Sequence, residues 1–239
     1  MIKPLLLVLS NSSRVVNNQD LIESFISLGR LSYHMVESIN NIKLEIISLY
    51  RTGYFGQFHT REMAKLIGKS HVGLLPHLKK FEKDKILVSK QVGRSKVYSL
   101  NFNNPQVKEF LSLSEKRESL EFLDKEFFVK KIYEEIASCL QGSLVLFGSY
   151  ASFSHTKESD VDLLYIGEIK DGEKVKINEF CRVYGKKVHL VSMNRKQFRE
   201  QLLKQNPLVK EIIKNHIILC NHDIFINELW GYYNERKER

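Results

Sequence analysis

Cysteine is scarce in this chain. Its 239 residues hold three, Cys139, Cys181 and Cys220, far apart and without a C-x-x-C spacing. An odd number at such distances argues against a disulfide framework or a zinc site, and a reducing cytoplasm is the expected compartment. Proline and glycine are sparse too, at 4 and 12, which leaves little room for flexible linkers or low-complexity tracts. No apolar stretch nears the roughly 20 residues that a membrane span needs, so no membrane partner is expected. The run Leu5–Leu9 is too short for a signal-peptide core and lacks a small-residue cleavage site. What remains is 43% hydrophobic and 27% charged, the composition of a globular protein with length enough for two domains.

Acidic charge is short in the first half. The chain carries a net +9. Residues 36–113 hold 13 Lys and Arg against 6 Asp and Glu, a net +7. Residues 114–141 hold 5 against 7, a net −2, and residues 142–239 hold 16 against 13, a net +3. A basic excess confined to one region suits contact with phosphate backbones, although lysine-rich faces also serve solubility.

Within that basic region the apolar spacing predicts a helix over 39–49, through Ile39, Ile42, Ile46 and Leu49. Thr60 is placed to cap a second helix from Arg61 to Ile67. Ser70 is placed to cap a third, from His71 to about Lys83, with Leu74, Leu75, Leu78 and Phe81 as its buried stripe. Pro76 inside that helix costs a backbone bond. Two short β-runs follow, Ile86–Gln91 and Lys96–Leu100, around Gly93-Arg94-Ser95. This order resembles a winged helix-turn-helix of the ArsR/MarR-like kind. The resemblance implies a third helix in the major groove of duplex DNA and a wing against the backbone. Ser70 and His71 then lie near bases, and Lys69, Lys79, Lys80, Lys90, Arg94 and Lys96 become phosphate contacts. Docking of a protein on the same module, or RNA in place of DNA, is the other reading.

The second half contains LVLFGSYASFSHTKESDVDLLY, residues 144–165. An apolar run ends at Gly148-Ser149, and Asp160 and Asp162 follow after a polar loop. Acids at i and i+2 of a strand share a face. Adjacent carboxylates repel, and a cation between them relieves the repulsion. A Gly-Ser turn offers backbone N–H groups and a hydroxyl to a phosphate. The pattern resembles the nucleotidyltransferase superfamily built on the polymerase-beta palm, closest to its small "minimal" branch, over roughly residues 114–239. The resemblance implies that Gly148 and Ser149 hold the terminal phosphates of a nucleoside triphosphate and that Asp160 and Asp162 bind magnesium. The family's third carboxylate comes from a later strand. The matching run, Lys186–Met193, has no acid, and His189 stands at that place. Imidazole is a poor ligand for hard magnesium. Either Glu179 substitutes, or His189 acts as a base beside the catalytic Asp160 and Asp162, or the site binds nucleotide without turnover, or His189 is only a polar strand residue.

The expected fold class is therefore α+β: an N-terminal winged helix-turn-helix followed by a small mixed-sheet nucleotidyltransferase domain. The expected domains are an extension over 1–35 that suits dimerisation, the winged helix over 36–104, linking helices over 105–141, nearly continuous, and the nucleotidyltransferase over 142–239. The expected function is transfer of an NMP from a magnesium-bound NTP to a hydroxyl acceptor by a DNA-binding protein. The minimal branch's toxin–antitoxin pairs make a protein acceptor plausible. The alternative is a DNA-binding regulator whose inactive palm only senses nucleotide.

Overall fold

A computed structural model describes residues 40–137 and 140–237. The extension expected over 1–35 and Cys139 lie outside them. Asn41–Arg239 form one compact unit. In its first part the chain runs α1 (Asn41–Ser48), β1 (Phe58–His59), α2 (Thr60–Leu66), α3 (His71–Lys83), β2 (Leu87–Val92) and β3 (Ser95–Leu100). The three strands form an antiparallel sheet in the order β1-β3-β2.

The local signals act much as the side chains dictate. The Ser70 hydroxyl accepts from the Gly73 N–H at 3.1 Å and starts α3. Helix α2 begins one residue earlier than expected. Extended His59 is its cap, held by pairing with Val97, and the Glu62 carboxylate accepts the His59 N–H at 3.3 Å. Pro76 sits inside α3 without ending it. Leu75 is 36% exposed rather than buried. The buried stripe is Leu74, Leu78 and Phe81, and a neighbour one position along turns about 100° off that line. The wing closes through Gly93 at φ +57, a left-handed turn that glycine adopts freely.

The long helix α4 (Gln106–Leu123) packs on α1 and carries the chain into its second part. The nearly continuous helix expected over 106–141 is broken. Asp124 to Glu126 separate α4 from α5 (Phe127–Glu135). The break lets Phe122 and Leu123 on one side, and Val129 and Ile132 on the other, enter the same core. Then come β4 (Ser143–Phe147), a single turn α6 (Gly148–Ala151), β5 (Val161–Ile166), α7 (Asp171–Val183), β6 (Val188–Met193), α8 (Arg195–Leu203), α9 (Pro207–Lys214), β7 (Ile217–Cys220) and α10 (His222–Asn234).

The second sheet has the order β6-β5-β4-β7. Strand β4 pairs antiparallel with β5 and β7, while β5 and β6 are parallel, so the sheet is mixed. Helix α7 makes the crossover that parallel pairing requires. On one face Leu144, Leu146, Val161, Leu163, Tyr165 and Leu219 cluster with Val129, Ile132, Ile177 and Cys181 from α5 and α7. The other face is covered by α8, which packs on β6, and α10, which packs on β4 and β7. There the Phe198 and Phe225 rings meet at 5.8 Å.

Helix α10 also reaches back to the first part. Trp230 meets Phe102 at 4.8 Å, and Tyr233 meets Phe55 at 4.8 Å and Tyr54 at 5.1 Å. Deeper in, Glu115 of α4 pairs with Arg51 and His216. Among the described residues no helix is long and apolar enough to cross a membrane.

Candidate functional site

Strand β5 brings the acids together. Asp160 is the residue before it and Asp162 is its second residue. The backbone N–H of Val161 donates to the Lys187 carbonyl at 2.9 Å, which fixes the start of β5 against β6. In the sheet, Asp162 stands opposite Phe147 on β4 and beside His189 on β6. The run of β4 ends there, so the Gly148-Ser149 turn lies over the same end of the sheet as both carboxylates.

Gly148 is fitted to this place. Its φ is +67, and a Cβ at 148 would overlap the Asp162 Oδ2. The carboxylate thus rests directly on the turn. Gly148→Ala is expected to cost about 1–2 kcal/mol through the left-handed backbone and to push the Asp162 carboxylate aside. A thermal melt paired with a nucleotide titration checks this; an alanine variant that melts and binds like the wild type would show that the close approach is unimportant. The polar loop folds back on the turn, with the Ser154 N–H donating to the Ser149 carbonyl at 2.9 Å. The Ser149 side chain is only part-buried.

The side chains of Asp160 and Asp162 are 34% and 28% exposed, and that of His189 is 64% exposed. The imidazole lies between the acids. Its Nε2 is 3.5 Å from Asp160 Oδ2 and its Nδ1 is 3.4 Å from Asp162 Oδ1. So the structure brings Gly148, Ser149, Asp160, Asp162 and His189 to one place. Glu179 does not join them: it is exposed on α7. Among the described residues no group of three or more His, Cys, Asp or Glu is arranged to hold a metal ion. The pair of half-exposed carboxylates has the hard-oxygen chemistry that a magnesium ion takes, whereas the imidazole touching both does not.

An open cavity of about 450 Å³ lies against the loop. Phe128, Tyr150, His155, Lys157 and Lys186 line it. The His155 ring stacks on Tyr150 at 4.0 Å, and Lys186 Nζ donates to the Lys157 carbonyl at 2.6 Å. His155 and Lys157 belong to the polar loop between the Gly-Ser turn and the acids. Tyr150, Phe128 and Lys186 carry no local signal, because only the tertiary fold gathers them.

The basic residues of the first part divide into two sets. Lys80 is paired with Asp84 at 3.0 Å and Lys96 with Glu82 at 3.0 Å. Glu82 also accepts the Ser89 hydroxyl, so Lys96 braces the wing. Its pKa is raised by the hydrogen bond to Glu82. Lys69, His71, Lys79, Lys90 and Arg94 are exposed, and no salt bridge among the described residues holds them. The Ser70 hydroxyl is engaged as the cap of α3.

Comparison with known sequences and structures returned no match to a curated protein or to a solved structure. A family model does match, over α5 to β7, the segment that holds the Gly-Ser turn, both acids and His189: residues 128–220 are similar to the nucleotidyltransferase domain family.

Proposed function

We propose that this protein is a DNA-binding nucleotidyltransferase that moves an NMP from an NTP onto a hydroxyl acceptor and releases pyrophosphate. The observation that carries the reading is the seat of the Asp162 carboxylate directly on the Gly148-Ser149 turn. The turn would receive the β- and γ-phosphates through its backbone N–H groups and the Ser149 hydroxyl. Asp160 and Asp162 would hold divalent cations, which when bound neutralise the triphosphate and activate the attacking hydroxyl. The acceptor oxygen attacks the α-phosphorus. The bond from that phosphorus to the bridging oxygen breaks, and pyrophosphate carries the electron pair away. The hydroxyl proton passes to solvent or to a site carboxylate. Calorimetric titration of ATP, CTP, GTP and UTP with magnesium, on the wild type and on Asp160→Asn/Asp162→Asn, tests the reading. Binding that survives the double substitution unchanged would sink it.

A second reading follows from a specific observation: an imidazole, not a carboxylate, stands beside the two acids. The domain then senses nucleotide without transferring it, and NTP changes DNA affinity by linkage. Binding without incorporation of labelled nucleotide into any acceptor favours it.

The order α2-α3-β2-β3 is our reason to read the first part as a winged helix-turn-helix, with α3 as the groove helix. Replacing Lys79, Lys90 and Arg94 with alanine is expected to weaken duplex binding at low salt. It should also flatten the dependence of affinity on salt, by about one unit of slope for each phosphate left without its cation. Lys80 and Lys96, engaged by Asp84 and Glu82, should matter less. Equal affinities for the triple variant and the wild type in a fluorescence anisotropy assay would count against a DNA role for this face.

A further inference from the structure

We infer that His189 is a built-in competitor for the cation site, so that the site loads a divalent ion poorly until nucleotide arrives. The inference rests on the reading that Asp160 and Asp162 hold that ion. Parallel pairing of β5 and β6 sets His189 directly beside Asp162. Each ring nitrogen faces one carboxylate, Nε2 at 3.5 Å from Asp160 Oδ2 and Nδ1 at 3.4 Å from Asp162 Oδ1. The ring therefore spans the gap between the acids and stands against one oxygen of each. A hard ion held by both carboxylates needs that space and draws on the same oxygens, and it gains little from an imidazole nitrogen in exchange.

The two occupants exclude one another. A protein whose binding-competent arrangement is only part of its population shows an apparent affinity reduced by that fraction. The His189 side chain is 64% exposed, so it has room to swing into solvent without disturbing the core. Nucleoside triphosphate arrives with its own cation and adds phosphate contacts at Gly148-Ser149. Displacement of the ring is thereby coupled to nucleotide rather than to free metal. His189 on this account is a positioning residue, not a ligand and not a base.

Calorimetric titration of the full chain with Mg2+ alone separates the possibilities. His189→Ala is expected to bind Mg2+ about fivefold more tightly than the wild type, the scale of one exposed polar side-chain contact removed. Asp160→Asn/Asp162→Asn should abolish the binding. In the wild type the His189 ring signals should shift in NMR spectra as Mg2+ saturates the site. Unchanged or weaker binding by His189→Ala, with binding still abolished in the acid variant, would overturn the competitor role and leave the acids as the cation site. Mg2+ binding that ignores the acids, or none in either the wild type or His189→Ala, would remove the cation site itself and this inference with it.

Discussion

Asp160→Asn/Asp162→Asn is expected to lose nucleotidyl transfer by a factor of about a thousand or more while the fold survives. Charge stabilisation by bound cations contributes several kcal/mol to such a transition state, and each ~1.4 kcal/mol is tenfold in rate. Asparagine preserves the shape of both side chains and removes the charge that would hold the ions. The acids are 34% and 28% exposed, and their partner His189 is 64% exposed. Even a fully charged pair in such surroundings is worth only about 0–1 kcal/mol, so the melting temperature should hardly move. Two adjacent carboxylates also repel, and their neutralisation offsets part of what the His189 contacts contribute. The measurement is incorporation of labelled nucleotide, run beside a thermal melt. Turnover retained in a folded double variant would end the assignment of these acids. Loss of turnover together with loss of the fold would make the acids structural instead.

The motif was legible because its parts are close in sequence and each has a local physical signature. An apolar strand, a Gly-Ser turn and a strand with acids at i and i+2 predict their own geometry. The face shared by Asp162 and His189 was also within reach, since alternation along 186–193 fixes which side His189 takes. The contact itself was not, because parallel register between β5 and β6 depends on the crossover through α7 and on the Val161–Lys187 backbone bond. Glu179 illustrates the same limit. Nearness in sequence to the third strand made it a candidate, but the turn of α7 sends it to the surface. Among helices, α3 was readable from its Ser70 cap and apolar spacing. The break at Asp124–Glu126 was not, since residues 121–126 contain no proline or glycine and only the shared core on both sides demands it.

The buried pair of Arg51 and Glu115 was invisible in the sequence for the same reason, and breaking it should have the largest effect on stability. The Glu115 side chain is 1% exposed. Its Oε2 accepts Arg51 Nε at 2.8 Å, and Arg51 Nη2 lies 2.8 Å from the same oxygen. His216 Nε2 lies 3.1 Å from Oε1. Arg51 Nη2 also donates to the His216 carbonyl at 3.1 Å. One residue from the first part, one from α4 and one from the lead into β7 are thus tied together. Glu115→Gln keeps the volume and leaves Arg51 only the part-exposed Glu118 carboxylate at 3.5 Å, so the loss should approach the roughly 3–5 kcal/mol of a buried pair broken on one side. Arg51→Met/Glu115→Leu removes both charges and should cost less than the sum of the single variants. Additive losses in denaturant titrations would show that the pair is not coupled.

Acid should find the same region. Burial pushes the Glu115 carboxyl up, but the Arg51 and His216 charges outweigh it and hold its pKa at about 2 against 4.5. A depressed carboxylate stabilises the fold above pH 4.5, and that contribution is lost as pH falls toward 2, on the order of 3 kcal/mol in all. Nearby His222 is pushed down to about 3 from 6.5, by burial first and then by the Lys116 charge. A buried neutral imidazole contributes fully above pH 6.5 and loses its contribution earlier, as pH falls from 6.5 toward 3. Melting temperature should therefore begin to fall below about pH 6.5 and steepen below 4.5. His222→Gln should flatten the upper part of that curve and leave the lower part, which belongs to Glu115, in place. A variant whose curve keeps the wild-type slope between pH 6.5 and 4.5 would assign that early loss to other groups.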